Sequence, residues 1–257
     1  MLDAALSEGV ACSVDDRGVA YVTFAHPRSN SLPGAVLAEL AQTISDLGKR
    51  EDVRVLVLGS AGERAFCAGA SFDELVAISN PEEGLAFFMG FANVINAMRS
   101  IPQFIIGRVQ GKTVGGGVGL AAATDYCLAT RFSSVKLSEL AIGIGPFVVG
   151  PAVERKLGVA GMSELAIDAT EWRTAEWAGN RGLYAGVYED ISSLDEAVEA
   201  LAGKLAESNP EAMNELKRNF WAGTEGWDSL LKERAGISGR LVLSDFTRQA
   251  IAKFKAG

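Results

Sequence analysis

An α/β fold follows from three features of this 257-residue chain. The N-terminal half alternates short apolar, β-branched runs with stretches of helical periodicity. From about Gly145 onward the chain reads as helices. Between the two, a strand-like run, Phe104 to Val109, leads into three consecutive glycines and an alanine-rich helix. Alternation of this kind favours a parallel or mixed sheet with helical crossovers. A helical tail on such a core either covers it or docks to a second copy of the chain.

The elements follow in order. Val19 to Phe24 is a strand after an Asp-Asp-Arg-Gly turn. Leu32 to Leu47 is a helix, with Leu37, Leu40, Ile44 and Leu47 on one face. Val53 to Leu58, β-branched and apolar, is a buried strand. Gly84 to Met98 is a second helix, closed by Ser-Ile-Pro. Phe104 to Val109 is the next strand, followed by the glycine-led helix. Tyr126 to Ala129 and Val135 to Leu137 are short strands. The helical half predicts Pro151 to Leu157, Ala160 to Ala169, Thr174 to Arg181, Leu194 to Ser208, Pro210 to Ala222, Asp228 to Leu243 and Asp245 to Lys255. A brief extended piece, Leu183 to Glu189, falls among them.

Composition bounds the function. Hydrophobic residues make up 48% and charged residues 22%, an ordinary soluble globular balance. The formal charge of −8 argues against nucleic acid as a main partner. Cys12, Cys67 and Cys127 are odd in number and widely spaced, which suggests a reducing compartment with neither a disulfide framework nor zinc spacing. The start carries Asp3 and Glu8 and no basic region, unlike a signal peptide, and no apolar run is long enough to span a membrane. The expectation is a cytoplasmic protein with no metal.

Three stretches carry chemistry. In the first, Gly115-Gly116-Gly117 opens a helix. Glycine lets a ligand approach the backbone, and the first N–H groups of a helix lack internal partners and carry partial positive charge. The second is the Ala65-Phe66-Cys67-Ala68-Gly69-Ala70 turn after the Val53 to Leu58 strand. Two such turns converging on one oxygen would form an oxyanion hole. Each would equally suit a tight turn with close packing. In the third, Glu139 stands in an otherwise apolar stretch, Leu137 to Phe147. In a dry pocket its pKa would rise and it would exchange protons near neutrality; on a surface it would be a solvated carboxylate or a cap. His26, the only histidine, precedes Pro27 and suits a turn better than a nucleophile pair. The glycine cluster misses the dinucleotide fingerprint, since Leu120 stands where its third glycine should be.

Taken together, these stretches resemble the crotonase family, the enoyl-CoA hydratase/isomerase superfamily. The residues that carry the likeness are Val109, Gly111, Gly115 to Gly117, Leu120-Ala121, Asp125 and Ala129. The Phe66-Cys67-Ala68-Gly69 turn upstream, the Glu139-Xaa-Xaa-Xaa-Gly143-Ile144 segment with Pro146 downstream, and Pro27-Xaa-Xaa-Asn30-Ser31-Leu32 near the start add to it. Similarity runs from about Val14 to the end.

The resemblance implies a ββα spiral core over residues 1–190 and a helical C-terminal region over 191–257 that mediates oligomerisation, commonly as a homotrimer or a dimer of trimers. It implies an acyl-CoA substrate and no separate cofactor, coenzyme A being part of the substrate. Backbone N–H groups at Ala70 and Gly116 would hold the thioester oxygen. Arg28, Lys253 and Lys255 are candidates for the CoA phosphates, and the backbone of Phe66, Cys67 and Ala68 for the adenine. Phe87, Phe91, Val118, Gly119 and Phe147 are candidates for the acyl pocket. Glu139 matches the second of two glutamates that hydratases of this family commonly use; the first would fall at Gly119. Asp125 matches a structural position. One carboxylate suffices for moving a double bond, because the proton can ride on it between carbons, so isomerisation is the leading expectation. Hydration with a bound water in place of the missing carboxylate, and a catalytically weak acyl-CoA-binding relative, are the alternatives.

Overall fold

The computed structural model describes residues 1–256, with side chains as far as Lys253. In chain order the first elements are strands β1 (Gly9–Val14), β2 (Val19–Ala25) and β3 (Ser31–Leu32), helix α1 (Gly34–Leu47), strands β4 (Val55–Ser60), β5 (Ala65–Cys67) and β6 (Gly69–Ala70), and helices α2 (Phe72–Ala77) and α3 (Pro81–Ser100). Then come β7 (Phe104–Val109), β8 (Lys112–Val114), α4 (Gly116–Ala123), β9 (Tyr126–Thr130) and β10 (Ser134–Lys136). A 3-10 turn, Glu139–Ile142, leads to α5 (Gly150–Ile167), β11 (Arg173–Thr174), α6 (Ala175–Asn180) and β12 (Gly186–Tyr188). Helices α7 (Ile191–Ala206), α8 (Pro210–Phe220), α9 (Trp227–Leu241) and α10 (Asp245–Ala256) complete the chain.

Six strands form one sheet in the order β1-β2-β4-β7-β9-β12. All neighbours are parallel except β1, which runs antiparallel to β2 at the edge. Both faces are covered, so β2, β4 and β7 are buried along their whole length. Alternation sorts their side chains. Ala20, Val22, Phe24, Leu56 and Leu58 join the core with α1, α3 and α4. Val19, Tyr21, Val55, Val57, Phe104 and Ile106 face the other way, onto Leu194, Val198 and Ala202 of α7 and Met213 of α8. A second sheet, β11-β10-β8-β5, and the short β3–β6 pair carry the glycine turns.

The C-terminal helices therefore cover the core in the same chain. Helices α9 and α3 cross at Gly239 and Gly84. A methyl carbon on Gly84 would lie 2.8 Å from Gly239 Cα, so only glycine allows this approach. Helix α10 packs on the 3-10 turn, where Gly143 lies against Phe246 and Thr247. Among the described residues no helix is long and apolar enough to cross a membrane, and no group of three potential ligands could hold a metal ion.

Three expectations are corrected. Strand β1 lies outside the predicted elements, because only its pairing with β2 orders so mixed a sequence. The first helix begins at Gly34 rather than Leu32: Pro33 is extended at φ −67°, ψ 158°, and Ser31–Leu32 pairs with Gly69–Ala70. Helix α3 begins at Pro81 rather than Gly84, because Asn80 caps it by accepting the Glu83 N–H at 2.9 Å.

Candidate active site

Two backbone turns meet at the mouth of a cleft. The first joins β5 to β6. Ser71 N–H donates to the Leu32 carbonyl at 3.0 Å, and Ser31 Oγ donates to the Ala70 carbonyl at 2.8 Å, which pins β6 to β3. In extended chain, successive N–H groups point in opposite directions. With Ser71 N–H turned towards β3, Ala70 N–H points away from it, and Ala70 lines the cleft. The second turn opens α4. Gly115, at φ 53° and ψ −117°, holds a conformation that only glycine adopts readily. Its N–H donates to the Lys136 carbonyl at 2.9 Å, and its own carbonyl accepts the Val118 N–H at 2.9 Å. Gly116, one residue on, supplies a first-turn N–H with no acceptor inside the helix.

Glycine lets the turns approach. A methyl carbon on Gly69 would lie 3.2 Å from the Val114 carbonyl oxygen and 3.7 Å from the Gly116 nitrogen. One on Gly117 would lie 2.7 Å from both the Cβ and the carbonyl oxygen of Cys67. Ala70 and Gly116 thus line one cleft, the arrangement from which two backbone donors could meet one oxygen.

Glu139 stands beside them. A methyl carbon on Gly115 would lie 3.0 Å from Glu139 Oε1, so that glycine also makes room for the carboxylate. Glu139 opens the 3-10 turn, which Gly143 closes in left-handed conformation at φ 83°. Its Oε2 is shut off from solvent and has no hydrogen-bond partner among the described residues. Burial disfavours the charged form and pushes the carboxyl up to about 7, where it both takes and returns protons at neutral pH.

The cleft has a volume of about 1020 Å³ and is mostly apolar, with Phe87, Phe88, Phe91 and Phe147 among its walls. Phe91 packs directly against Gly116. Glu139, Ala70, Gly116, Ala68, Phe87, Phe91, Phe147 and Lys253 all line this one space. Other predicted site residues do not. Phe66 and Cys67 are fully buried in β5: the Phe66 ring packs edge-on to Phe24 at 5.3 Å, and Cys67 Sγ accepts the Gly69 N–H at 3.4 Å. Val118 falls on the far side of α4 from Gly116, because two residues of helix turn through more than half a circle. Arg28 is exposed and ion-paired with the equally exposed Asp73 outside the cleft. Lys255 lies outside the residues whose side chains are described.

Gly119 is also shut out of the cleft, because Val149 stands between. A side chain at 119 would run into Val149 Cγ1 and Cβ, and Val149 itself forms part of the wall. The Val149 isopropyl group occupies the space a Cβ at 119 would need. Sequence reading missed Val149, since the contact joins α4 to the start of α5 across thirty residues and no local pattern marks it. Trp172 and Lys136, also in the wall, were missed for the same reason.

Two other candidates are structural. Asp125 accepts hydrogen bonds from Trp221 Nε1 at 2.7 Å and Ile105 N at 2.8 Å, and pairs with Lys217 at 3.0 Å. His26 holds a turn: its N–H donates to Asn30 Oδ1 at 2.9 Å.

A family model described as enoyl-CoA hydratase/isomerase matches residues 15–249. A probable enoyl-CoA hydratase of Bacillus subtilis is 27% identical over 93% of this chain and 93% of its own length. An ethylmalonyl-CoA decarboxylase of Xenopus laevis is 33% identical over 53% of this chain; that match takes in only 46% of the relative. Among solved structures, an enoyl-CoA hydratase from Mycobacterium avium superposes with a TM-score of 0.85 at 26% identity, covering 98% of this chain and 97% of that one.

Proposed function

The chain belongs to the enoyl-CoA hydratase/isomerase family, and from that footing we propose that it shifts the double bond of an enoyl-CoA, with Glu139 as the only proton carrier. The thioester oxygen sits between the N–H groups of Ala70 and Gly116. Glu139 takes a proton from the α carbon of a 3-enoyl thioester. The electron pair spreads into the carbonyl, and the two donors stabilise the resulting oxyanion. Glu139 then returns the proton to the γ carbon, leaving a 2-enoyl thioester. Atoms balance without water or a second acid.

The observation that carries this reading is the Gly119–Val149 contact. It leaves no room for a side chain at 119, which supports a mechanism run by one buried carboxyl, poised at about 7. The test is direct. A 3-enoyl-CoA should convert to its 2-enoyl isomer, read by the rise in conjugated-thioester absorbance, whereas crotonyl-CoA should not be hydrated. Rapid crotonyl-CoA hydration would overturn the reading. Binding without turnover across an acyl-CoA panel would mark a non-catalytic relative.

A second reading has a specific support. The similarity to an ethylmalonyl-CoA decarboxylase and the easily protonated Glu139 together suit loss of carbon dioxide. There the bond to a carboxylate on the α carbon breaks, its pair enters the same enolate, and protonated Glu139 delivers the α hydrogen. Release of carbon dioxide from ethylmalonyl-CoA is the measurement that separates the two.

A further inference from the structure

We infer that Lys136 and Trp172 in the cleft wall, with Lys112 at its edge, form a second anchor that takes a carboxylate on the acyl arm of the ligand, which makes the substrate class a thioester of a dicarboxylic acid. The inference rests on the acyl-CoA reading above and adds the charge of the acyl group to it.

Strands β8 and β10 are neighbours, with Lys136 paired to Val114. Lys112 and Val114 are two residues apart on β8 and share a face. Val114 and Lys136 line the cleft, and Lys112, outside that lining, rises from the same face of β8 at its edge. Their ammonium groups converge on the Trp172 ring, at 5.2 Å for Lys112 and 4.7 Å for Lys136 from its centre. Trp172 is 38% exposed and, with Lys136, forms part of the cleft wall. Among the described residues neither ammonium has a carboxylate partner. Two like charges gathered at one ring, without a counter-ion, in a chain of net charge −8, define a place for an anion.

The position selects the acyl arm. The Lys136 carbonyl accepts the Gly115 N–H at 2.9 Å, so Lys136 is rooted next to the Gly116 donor. In an acyl-CoA the phosphates sit at the far end of the pantetheine arm, whereas a carboxylate on a short acyl chain stays within a lysine's reach of the thioester. The Trp172 ring gives the intervening methylenes an apolar wall.

The test is isothermal titration of the full chain with two matched pairs, succinyl-CoA against butyryl-CoA and adipyl-CoA against hexanoyl-CoA. Each pair differs by a terminal carboxylate in place of a methyl. In at least one pair the carboxylate-bearing thioester should bind about tenfold tighter, and Lys112→Met/Lys136→Met should bring that ratio close to one. Ratios near one for both pairs in the wild type, or a preference that survives in the double variant, would overturn the inference. So would equal losses for neutral thioesters, carboxylate-bearing thioesters and free coenzyme A, which assign the cations to a CoA phosphate. If none of the four thioesters binds a chain shown to be folded by circular dichroism, the acyl-CoA reading itself fails.

Discussion

Glu139 couples its environment to its chemistry. Its carboxyl sits near 7 because burial disfavours the charged form and nothing among the described residues pairs with Oε2. Isomerisation needs the carboxylate as base, so kcat/KM should rise about tenfold per pH unit below 7 and level off above it. A decarboxylation that uses the protonated form should fall above 7 instead, and the slope distinguishes the two. Glu139→Gln should lower kcat by about a thousandfold while acyl-CoA affinity by titration stays close to wild type. The same burial has a stability cost of defined sign. The folded state holds this proton more tightly than the unfolded chain, whose carboxyl titrates near 4.5. Stability from this group is therefore lost as pH rises from about 4.5 to 7. Glu139→Gln should stabilise the fold above pH 7 by up to about 3 kcal/mol, and by almost nothing below pH 4, in urea titrations at each pH. The residue's candidacy was legible in the sequence as a lone acid among apolar neighbours. Its desolvation was not, because that depends on Gly115 and on walls from distant segments.

Helix α4 and its cap shape the site by what their glycines admit. Gly115 admits the carboxylate, and its positive φ excludes other residues without strain. Gly115→Ala should destabilise by about 1–2 kcal/mol and displace Glu139, with kcat falling more than binding; wild-type kcat in this variant would refute the assigned geometry. Gly119 admits Val149. Gly119→Glu alone should clash and gain no hydratase activity. Gly119→Glu with Val149→Gly opens the space and should add measurable crotonyl-CoA hydration, followed by loss of conjugated absorbance. The elements themselves were largely readable, since β2, β4 and β7 are short buried runs and α1 has a clear stripe. Strand β1 and the β3–β6 pair were not, because both exist only through pairing with distant chain.

Across the whole molecule, a buried cation adds a polar tie to the apolar packing of the helical tail on the core. Lys217 of α8 is 2% exposed, donates to the Met98 and Gln103 carbonyls at 2.9 and 2.7 Å, and pairs with Asp125 at the end of α4. Burial lowers its pKa, and Asp125 opposes that shift. Lys217→Met would leave Asp125 and two carbonyls short of a partner, and should cost about 3–5 kcal/mol of unfolding free energy in urea. Leu140 on the 3-10 turn and Phe246 on α10 are exposed, 49% and 67%, on elements that pack together. We propose that this apolar surface contributes to a trimer or a dimer of trimers, and light scattering at micromolar concentration should find one of these; a monomer would refute it.

The sequence by itself determined the α/β class, the order of most elements, the two glycine turns and the candidate acid, because these depend on local periodicity and on where a side chain is missing. Only the tertiary structure decided which residues share the cleft. It put Val118 and Gly119 outside the wall and brought Val149, Lys136 and Trp172 into it. The reason is geometric: helical pitch and strand alternation set a side chain's direction, but what it meets there comes from segments far along the chain.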